Sequence, residues 1–255
     1  MKPWILSGAG NTFLIEISSQ ELPPSIEAVK ALCHLYKTDG LLRLVPLRPL
    51  QFSWFFFNRD GSTAEFCGNA ARCAQSYIYE SGIQEKVLQI SGALQFSTWT
   101  ENSQHWVSLP APKILDIDKK LKIRSGEYSG FWCQAGVPHF VIQDRNLSES
   151  EFRKISSELR AHPNLGESGA NVTWVKNQRK NSVVAVTFER GVEDFTQACG
   201  SGAYAVSLRH QFENPEYNHF QIHMPGGTLD TSTKDGAWIM TGPVENIGEW
   251  SGSLV

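Results

Sequence analysis

The chain contains two segments with one pattern, Cys67-Gly68-Asn69-Ala70-Ala71 and Cys199-Gly200-Ser201-Gly202-Ala203. In each, a Cys-Gly pair leads into a small polar residue and then into a helical run. Asn and Ser are favoured at helix N-caps, because their side-chain oxygens accept hydrogen bonds from backbone N–H groups that lack a helical partner. We therefore expect Asn69 and Ser201 to cap two helices, with a cysteine at each N-terminus. The recurrence indicates an internal pseudo-repeat.

A helix N-terminus changes the chemistry of a cysteine placed there. The helix dipole and the free N–H groups stabilise a thiolate, so this position is expected to lower the pKa of Cys67 and of Cys199. The same N–H groups can hold a carboxylate. Two such sites around one small molecule suit the removal of a proton from one face of a carbon and its delivery to the other. The alternative, two small buried hydrophobic residues, does not account for the matching contexts.

The composition is that of an ordinary globular protein, with 255 residues, 41% hydrophobic and 19% charged, and a formal net charge of −3. No run of Lys and Arg favours binding to nucleic acid or to an anionic membrane. The longest apolar stretch, Phe52 to Phe57, is too short to span a bilayer, and the N-terminus lacks the apolar core of a signal peptide. We therefore expect a cytoplasmic protein whose partner is a small molecule.

The cysteine and histidine patterns predict neither disulfides nor a metal. The five cysteines are an odd number, which argues against a disulfide framework. No CxxC pair occurs, and the spacing of Cys67 and Cys73 does not suit a zinc ribbon or finger. The histidines form no HExxH motif, and no glycine-rich loop signals a nucleotide. The sequence therefore predicts no cofactor and no metal.

The prolines of Leu109-Pro110-Ala111-Pro112 interrupt helix and sheet and mark a linker. On both sides of it the predicted elements recur: strands, an amphipathic helix, more strands, a cysteine-led helix and further strands. The predicted helices are 25–37, 70–80, 149–161 (with a capping box at 148–151) and 202–212; the predicted strands are 4–6, 13–17, 51–58, 87–100, 105–109, 131–143, 171–176, 182–189, 219–224, 228–233 and 237–241. We expect an α+β fold of two similar halves that face each other across a cleft, with domains at 1–111, joined by the tail 244–255, and at 112–243.

Several polar residues near the two cysteines are suited to hold an amino acid. Three are asparagines that fit equally as turn residues: Asn11, Asn58 and Asn171. Arg190 follows Glu189 at the end of a predicted strand; its planar guanidinium suits a carboxylate, although an arginine is more often a surface charge. His139 either relays protons or caps a loop.

Six segments, in order along nearly the whole chain, closely resemble the diaminopimelate epimerase family: GAGNTF (8–13), FFNRDGSTAEFCGNAARC (56–73), GVPHF (136–140), GANVTWV (169–175), ERGVEDFTQACGSGA (189–203) and MPGG (224–227). The resemblance implies a cofactor-independent isomerase that interconverts LL- and meso-diaminopimelate, on the path to lysine and the peptidoglycan precursor. It also implies two pseudo-symmetric domains, each a mostly antiparallel sheet wrapped around a central helix, that close over the substrate, and a homodimer.

The matching positions imply a role for each site residue. Cys67 and Cys199 resemble the base and acid pair. The backbone N–H groups that would bind the carboxylate at the reacting carbon belong to Gly68, Asn69, Gly200 and Ser201. The distal carboxylate and amine would contact Asn58, Asn171 and Arg190. Asn11 and Glu189 would lie near the reacting end, and His139 with Glu189 would set the protonation states of the thiols.

The chain departs from the family pattern at four positions. Thr12 stands where Asp is common, Ala70 replaces a Gly, Val137 replaces an Asn, and Phe195 stands where an acidic residue is usual. The Asn at the position of Val137 is expected to touch the distal end of the substrate. We therefore expect this chain to select its substrate less strictly than a relative that carries Asn there.

Two other functions use a similar cysteine pair. A proline-type racemase carries a His after the first Cys-Gly and a Ser-Pro before the second cysteine, where this chain has Asn69 and Gln197-Ala198; a racemase of glutamate is a further variant of this chemistry. A non-catalytic thiol-switch protein would instead use Cys67 and Cys199 as a redox pair. Deuterium entering Cα from solvent distinguishes a racemase from a thiol switch.

Overall fold

The computed structural model describes residues 2–63, 66–83, 88–91, 94–252 and 254. The chain divides into two compact units, Met1–Ser108 with Thr241–Val255, and Leu109–Met240. The limits predicted from the sequence are residues 111 and 243. Val87, where a predicted strand begins, lies outside the described residues, as do residues 253 and 255 of the predicted tail. In the described part of the chain, no helix has the length and apolarity needed to cross a membrane.

The elements follow one another along the chain in this order: β1 (Trp4–Gly8), β2 (Asn11–Ile17), α1 (Ile26–Tyr36), β3 (Gly40–Arg48), β4 (Gln51–Asn58), α2 (Gly68–Glu80), β5 (Leu88–Ser91), β6 (Gln95–Glu101), β7 (Gln104–Ser108), β8 (Lys113–Ile123), β9 (Gly126–Ala135), β10 (Val137–Gln143), α3 (Glu149–Arg160), a 3₁₀-helix (Pro163–Leu165), β11 (Asn171–Arg179), β12 (Ser182–Glu189), β13 (Asp194–Phe195), α4 (Gly200–Glu213), β14 (His219–Met224), β15 (Gly227–Lys234), β16 (Ala237–Thr241) and β17 (Val244–Glu249).

Each unit is built on the same pair of crossovers. In the first unit, α1 joins β2 to the parallel β3, and α2 joins β4 to the parallel β5. In the second unit, α3 joins β10 to the parallel β11, and α4 lies between β12 and the parallel β14. Parallel strands need such a crossover, whereas antiparallel neighbours need only a turn. The predicted pseudo-repeat is therefore confirmed, and both cysteine-led helices are the second crossover of their unit.

The remaining strand pairs within the units are antiparallel. In the first unit these are β1–β2, β1–β17, β3–β4, β5–β6 and β6–β7. In the second they are β8–β9, β9–β10, β11–β12, β12–β13 and β14–β15. The α+β fold with mostly antiparallel sheets is confirmed.

The helices of each unit differ in how deeply they are buried. α2 is buried over Gly68–Ile78, and α4 over most of its length. Alanines and glycines along both helices, such as Ala70, Ala74 and Ala203, allow the surrounding strands to approach closely. α1 and α3 bury one face only. The cysteine-led helices are therefore the central helices of their units.

The two amphipathic helices are each capped by a serine, of which only the cap of α3 was predicted, and each buries an apolar face. Ser25 caps α1 by accepting from the N–H of Ala28 (3.2 Å). Ser148 and Glu151 form the predicted capping box of α3. The buried face of α1 packs in the core of the first unit, which includes Leu14, Val29, Leu32, Leu41 and Trp250. The buried face of α3 packs in the core of the second unit, which includes Phe140, Phe152, Ile155, Leu159 and Trp174.

Four strands were not predicted from the sequence, namely β3, β8, β17 and the two-residue β13, and two others were merged. β3 is buried without alternation over its first six residues, so no period of two marks it. β8 is mostly exposed and charged, and its register with β9 shifts twice. β17 is short and largely exposed. The strand predicted at 87–100 is two strands, β5 and β6, in the described residues.

Phe195, one of the departures from the family pattern, belongs to the core of the second unit. Its ring stacks on Phe152 (5.6 Å between centroids, 4° between planes) and meets the edge of Phe188 (6.0 Å, 89°). The guanidinium carbon of Arg153 lies 4.3 Å from the ring centroid. An aromatic side chain at this position therefore extends the apolar cluster, which an acidic residue could not do.

Candidate active site

Cys67 is the N-cap of α2, with an extended backbone (φ −138°, ψ 107°). It is half-buried, and its carbonyl oxygen accepts from the N–H of Ala71 (2.9 Å). The helix begins at Gly68, so Asn69 lies inside it and the prediction that Asn69 caps the helix is wrong. The first N–H groups of a helix have no acceptor within it, and Cys67 lies beside them.

The side chain of Asn69 links the start of α2 to β2. It is buried, and its Nδ2 donates to the Oδ1 of Asn11 (2.6 Å). Its Oδ1 accepts from Nη2 of Arg72 (3.0 Å), whose Nη1 donates to the carbonyl oxygen of Gly68 (3.3 Å). Two predicted site residues, Asn11 and Asn69, are therefore in contact. Arg72 was not predicted; its charge, one turn after Gly68 and among the apolar residues Ala70, Ala71, Cys73 and Ala74, was the available signal.

Asn58 is the last residue of β4 and begins the turn that follows, where its carbonyl oxygen accepts from the N–H of Gly61 (2.9 Å). Its Nδ2 donates to Oγ of Ser62 (3.0 Å), and its backbone N–H donates to the carbonyl oxygen of the same serine (2.8 Å). Asp60 accepts from the hydroxyl and the N–H of Ser62, which lowers the pKa of this carboxyl. The turn role left open for Asn58 is thus observed, and its contact with the substrate stays a prediction.

Cys199 is the N-cap of α4, again with an extended backbone (φ −110°, ψ 104°). Its sulfur accepts from the N–H of Gly202 (3.3 Å), as a capping oxygen does elsewhere. The same sulfur lies 3.3 Å from Oγ of Ser201. The backbone N–H of Cys199 donates to Sδ of Met224 (3.3 Å). α4 begins at Gly200, so the prediction that Ser201 caps the helix is wrong; the cysteine itself is the cap.

Burial raises the pKa of the Cys199 thiol well above its ordinary value, and the neighbouring carboxylate of Glu189 raises it further. The hydroxyl of Ser201 and the N–H of Gly202 act in the opposite direction and do not offset burial. The lowered pKa expected at a helix N-terminus is therefore wrong for Cys199, since the cost of removing the thiolate from water outweighs the helix N–H groups. At neutral pH Cys199 is a thiol.

His139 lies in β10, fully buried, and contacts Cys199 through Ser201. Its Nε2 is 2.8 Å from Oγ of Ser201, and its Nδ1 is 3.2 Å from Oγ1 of Thr173. Burial and the charge of Arg190 lower the pKa of His139 to about 3. The imidazole is therefore neutral, and its place within a strand excludes the alternative that it caps a loop.

Asn171 and Arg190 extend this network. Asn171 is paired with His139 in the parallel register of β10 and β11, and its Nδ2 lies 3.3 Å from Nε2 of that histidine. Its Oδ1 accepts from the backbone N–H of Arg190 (2.9 Å). The Arg190 side chain is exposed and donates to the carbonyl oxygen of Ser168 (3.3 Å). The second unit therefore brings seven predicted site residues together: His139, Asn171, Glu189, Arg190, Cys199, Gly200 and Ser201.

Thr173, Thr187 and Thr196 complete the site and were not predicted. Oγ1 of Thr173 lies 3.0 Å from Oγ1 of Thr187, and Thr196 donates its hydroxyl hydrogen to Oε1 of Glu189 (2.6 Å). A Cβ atom on Gly202 would overlap with the Thr187 hydroxyl and lie 3.2 Å from that of Thr173. The second glycine of Cys-Gly-Ser-Gly is the sequence signal for this close approach.

Two departures from the family pattern lie next to site residues. Thr12 follows Asn11, and its N–H and hydroxyl both donate to Oδ2 of Asp39 (2.9 and 3.1 Å). Val137 opens β10, half-buried, opposite Ala135. In the part of the chain that the structure describes, no three His, Cys, Asp or Glu residues are grouped so that they could hold a metal ion.

Known proteins match the chain over most of its length. The family model described as Diaminopimelate epimerase matches residues 4–107 and 131–247. The diaminopimelate epimerase of Thermotoga maritima is 31% identical over 246 residues, which cover 95% of this chain and 98% of the relative. That of Helicobacter pylori is 32% identical over 263 residues, which cover 95% and 93%. That of Aquifex aeolicus is 31% identical over 225 residues, which cover 82% and 80%.

Solved structures with lower identity share the fold. A phenazine biosynthesis protein of the PhzF family from Bacillus anthracis has a TM-score of 0.75 at 11% identity, covering 98% of both chains. A probable proline racemase from Agrobacterium radiobacter has a TM-score of 0.72 at 14% identity, covering 100% of this chain and 93% of that one. At this identity the likeness extends to the fold alone.

Proposed function

The chain belongs to the diaminopimelate epimerase family, and we propose that it interconverts LL- and meso-diaminopimelate without a cofactor, with Cys67 and Cys199 as the base and acid pair. The observation that carries this proposal is that a cysteine is the N-cap of the second crossover helix in both units. Around each lie residues of the segments that resemble the family, namely Asn11 and Asn69 in one unit and His139, Asn171, Glu189 and Ser201 in the other.

In the proposed reaction, the Cys67 thiolate removes the α-proton of the substrate. Cys199 delivers its thiol proton to the opposite face of the same carbon, so the configuration inverts. One proton is taken up and one is given, and the cysteines have exchanged protonation states at the end. In the reverse direction their roles exchange. The raised pKa of Cys199 supports its assignment as the acid in the direction in which Cys67 removes the α-proton.

The α-carbon of an amino acid is a very weak acid, so the carbanion needs strong electrostatic stabilisation. We propose that the first N–H groups of α2 and α4 bind the α-carboxylate, through Gly68, Asn69, Gly200 and Ser201. Oriented N–H donors in a site without water stabilise developing negative charge more than water does, because they need no reorganisation. Losing a single such donor in other enzymes costs about 3–4 kcal/mol.

Glu189 and Ser201 have opposite effects on Cys199. The Glu189 carboxylate disfavours the thiolate, whereas the Ser201 hydroxyl and the Gly202 N–H favour it. The thiol therefore retains its proton until a stronger base, the carbanion, forms beside it. Once the proton has moved, the hydroxyl and the N–H stabilise the thiolate that remains. His139 supports this exchange through its contact with Ser201.

The far end of the substrate carries an amine and a carboxylate, and we propose that Asn58, Asn171 and Arg190 bind it. The exposed guanidinium of Arg190 offers the paired N–H donors that a carboxylate accepts. The family resemblance also supports a cytoplasmic location and a homodimer. Light scattering after size-exclusion chromatography tests the dimer.

One experiment tests the function against its alternatives. Single stereoisomers of diaminopimelate, glutamate and proline are incubated with the protein in D2O, and exchange at Cα is followed by NMR. We expect inversion and deuterium incorporation for diaminopimelate well above those for the other two. Exchange on proline alone assigns a proline racemase. No exchange on any of them, together with a Cys67–Cys199 disulfide that turns over with a dithiol, assigns a thiol switch.

A further inference from the structure

Arg72 is fully buried in α2, and the ion pairs of the described residues do not include it. Its Nε has no hydrogen-bond partner in the described part of the chain. Arg43, the other buried arginine of the first unit at 3% exposure, does form an ion pair: its Nε lies 2.7 Å from Oε1 of Glu16. A buried charge is costly without a counter-charge, so the two arginines of this unit are balanced differently.

The contacts of Arg72 all lead to the start of its own helix. Nη1 donates to the carbonyl oxygen of Gly68 and Nη2 to Oδ1 of Asn69, the first two residues of α2. Both follow Cys67 directly. The guanidinium therefore folds back along the helix toward the turn whose N-cap is the cysteine.

The ionisable groups that act on Arg72 are few. Cys73 is fully buried, which raises its pKa to about 12 and keeps it a thiol. His105 of β7 is half-buried, and both burial and the charge of Arg72 lower its pKa, so it is neutral. Burial lowers the pKa of the Arg72 guanidinium to about 10, and the remaining group, Cys67, raises it when it carries a negative charge.

We propose that Arg72 is a positioning residue for the first half of the site: its guanidinium holds the Asn69 side chain toward Asn11 and supplies the positive charge that stabilises the Cys67 thiolate. Because Nη2 of Arg72 donates to Oδ1 of Asn69, the amide of Asn69 is fixed with its Nδ2 toward Asn11. This leaves the Nδ2 group of Asn11 as a donor for a ligand. The proposal rests on the proposed function, since it takes Cys67 as the base.

The test measures Cys67 without any substrate. Alkylation of Cys67 by iodoacetamide is followed by peptide mass spectrometry as a function of pH, in the wild type and in Arg72→Met, Arg72→Lys and Arg43→Met. We expect the wild-type midpoint to lie below about 8.5, the ordinary value for a free cysteine. Arg72→Met should raise it by about one pH unit, the effect of losing an adjacent opposite charge, which slows alkylation at neutral pH about tenfold.

The other variants separate charge from position. Arg72→Lys keeps the charge but cannot reach Gly68 and Asn69 together, so we expect a midpoint near the wild type and a raised KM for diaminopimelate. Arg43→Met removes a buried arginine of the same unit and should leave the midpoint unchanged. Circular dichroism and thermal unfolding establish that each variant is folded.

Three results would overturn the inference: a wild-type midpoint at or above that of a free cysteine, a folded Arg72→Met variant with an unchanged midpoint, or an equal shift in Arg43→Met. The first needs no variant, so it applies even if Arg72→Met does not fold. Failure of the proposed function is a separate result, because diaminopimelate would then show no exchange at Cα whatever the alkylation midpoint of Cys67.

Discussion

The Nε2 atom of His139 lies 2.8 Å from Oγ of Ser201, and this oxygen lies 3.3 Å from the sulfur of Cys199. With the imidazole proton on Nδ1, the Ser201 hydroxyl donates to Nε2 and its oxygen can accept from the Cys199 thiol. The Nδ2 group of Asn171 also lies 3.3 Å from Nε2 and, because the Oδ1 of this asparagine accepts from the Arg190 N–H, it faces Nε2 as a donor. Nε2 is therefore an acceptor, and His139 and Ser201 together support the thiol form of Cys199.

Ser201→Ala removes this link and leaves the backbone N–H in place. We expect kcat to fall up to about tenfold, the effect of one neutral hydrogen bond of roughly 0.5–1.5 kcal/mol, with little change in KM. Steady-state kinetics on diaminopimelate checks this. Ser207→Ala is the matched control, because Ser207 is buried in the same helix and donates to the carbonyl oxygen of Ala203 (2.9 Å). A fall in kcat as large in the control would remove the special role of Ser201.

Cys67→Ser and Cys199→Ser should each abolish epimerisation while the protein stays folded. A serine hydroxyl is a far weaker acid than a thiol, so it neither rests as an anion nor donates to the carbanion at a useful rate. Inversion of diaminopimelate, followed by NMR, measures the loss. Cys33→Ala serves as the control, since Cys33 is buried in the α1 core. Near-normal rates in either serine variant would refute the two-base assignment.

Glu189→Gln should lower the pKa of Cys199. The carboxylate is a negative charge beside the thiol, and removing it makes the thiolate easier to form. The pH at which Cys199 becomes reactive toward iodoacetamide should therefore decrease, although burial still keeps it above that of a free thiol. Glu193→Gln is the control, because its side chain is exposed and pairs with Arg160. An unchanged or increased midpoint in Glu189→Gln contradicts the prediction.

Val137→Asn should sharpen the preference for diaminopimelate. Asn would add a hydrogen bond at the distal end, worth up to about tenfold in affinity, and should lower KM with little change in kcat, the pattern for a contact equal in ground and transition states. The ratio of kcat/KM for diaminopimelate and glutamate is compared in both proteins. Val184→Asn on the exposed face of β12 controls for the substitution itself. If the ratio stays constant or moves toward glutamate, Val137 is only a packing residue.

The sequence predicted the elements whose patterns are local. The cysteine-led helices, the Ser148 capping box and the pseudo-repeat depend on short motifs, and all are present. The N-cap of α2 was wrongly assigned to Asn69, which is the second residue of the helix. Its side-chain partners, Asn11 and Arg72, are not recognisable as partners from the sequence, so the asparagine resembles an N-cap. β3 and β8 escaped detection because one is buried on both faces and the other is exposed on both, so neither alternates.

The electrostatics of the site could not be predicted from the motif. A helix N-terminus generally lowers the pKa of a thiol, whereas burial raises it. The motif does not show how deeply the cysteine is buried, so the net direction could not be predicted. For Cys199, burial and the carboxylate of Glu189 raise the pKa, although the helix N-terminus alone would lower it. The hydroxyls of Thr173 and Thr187 meet Gly202 through tertiary packing of two strands on a helix, which leaves no pattern in any one segment.

The first unit is assembled from both ends of the described chain, whereas the second is continuous. β1 pairs with β17, and Trp250 is buried beside Leu14 with its indole N–H donating to the carbonyl oxygen of Ile15 (3.2 Å). On the ribosome, every strand and helix of the unit that holds Cys199 is therefore made before the last strand of the unit that holds Cys67. The unit that holds the cysteine nearer the start of translation is therefore the last to be completed.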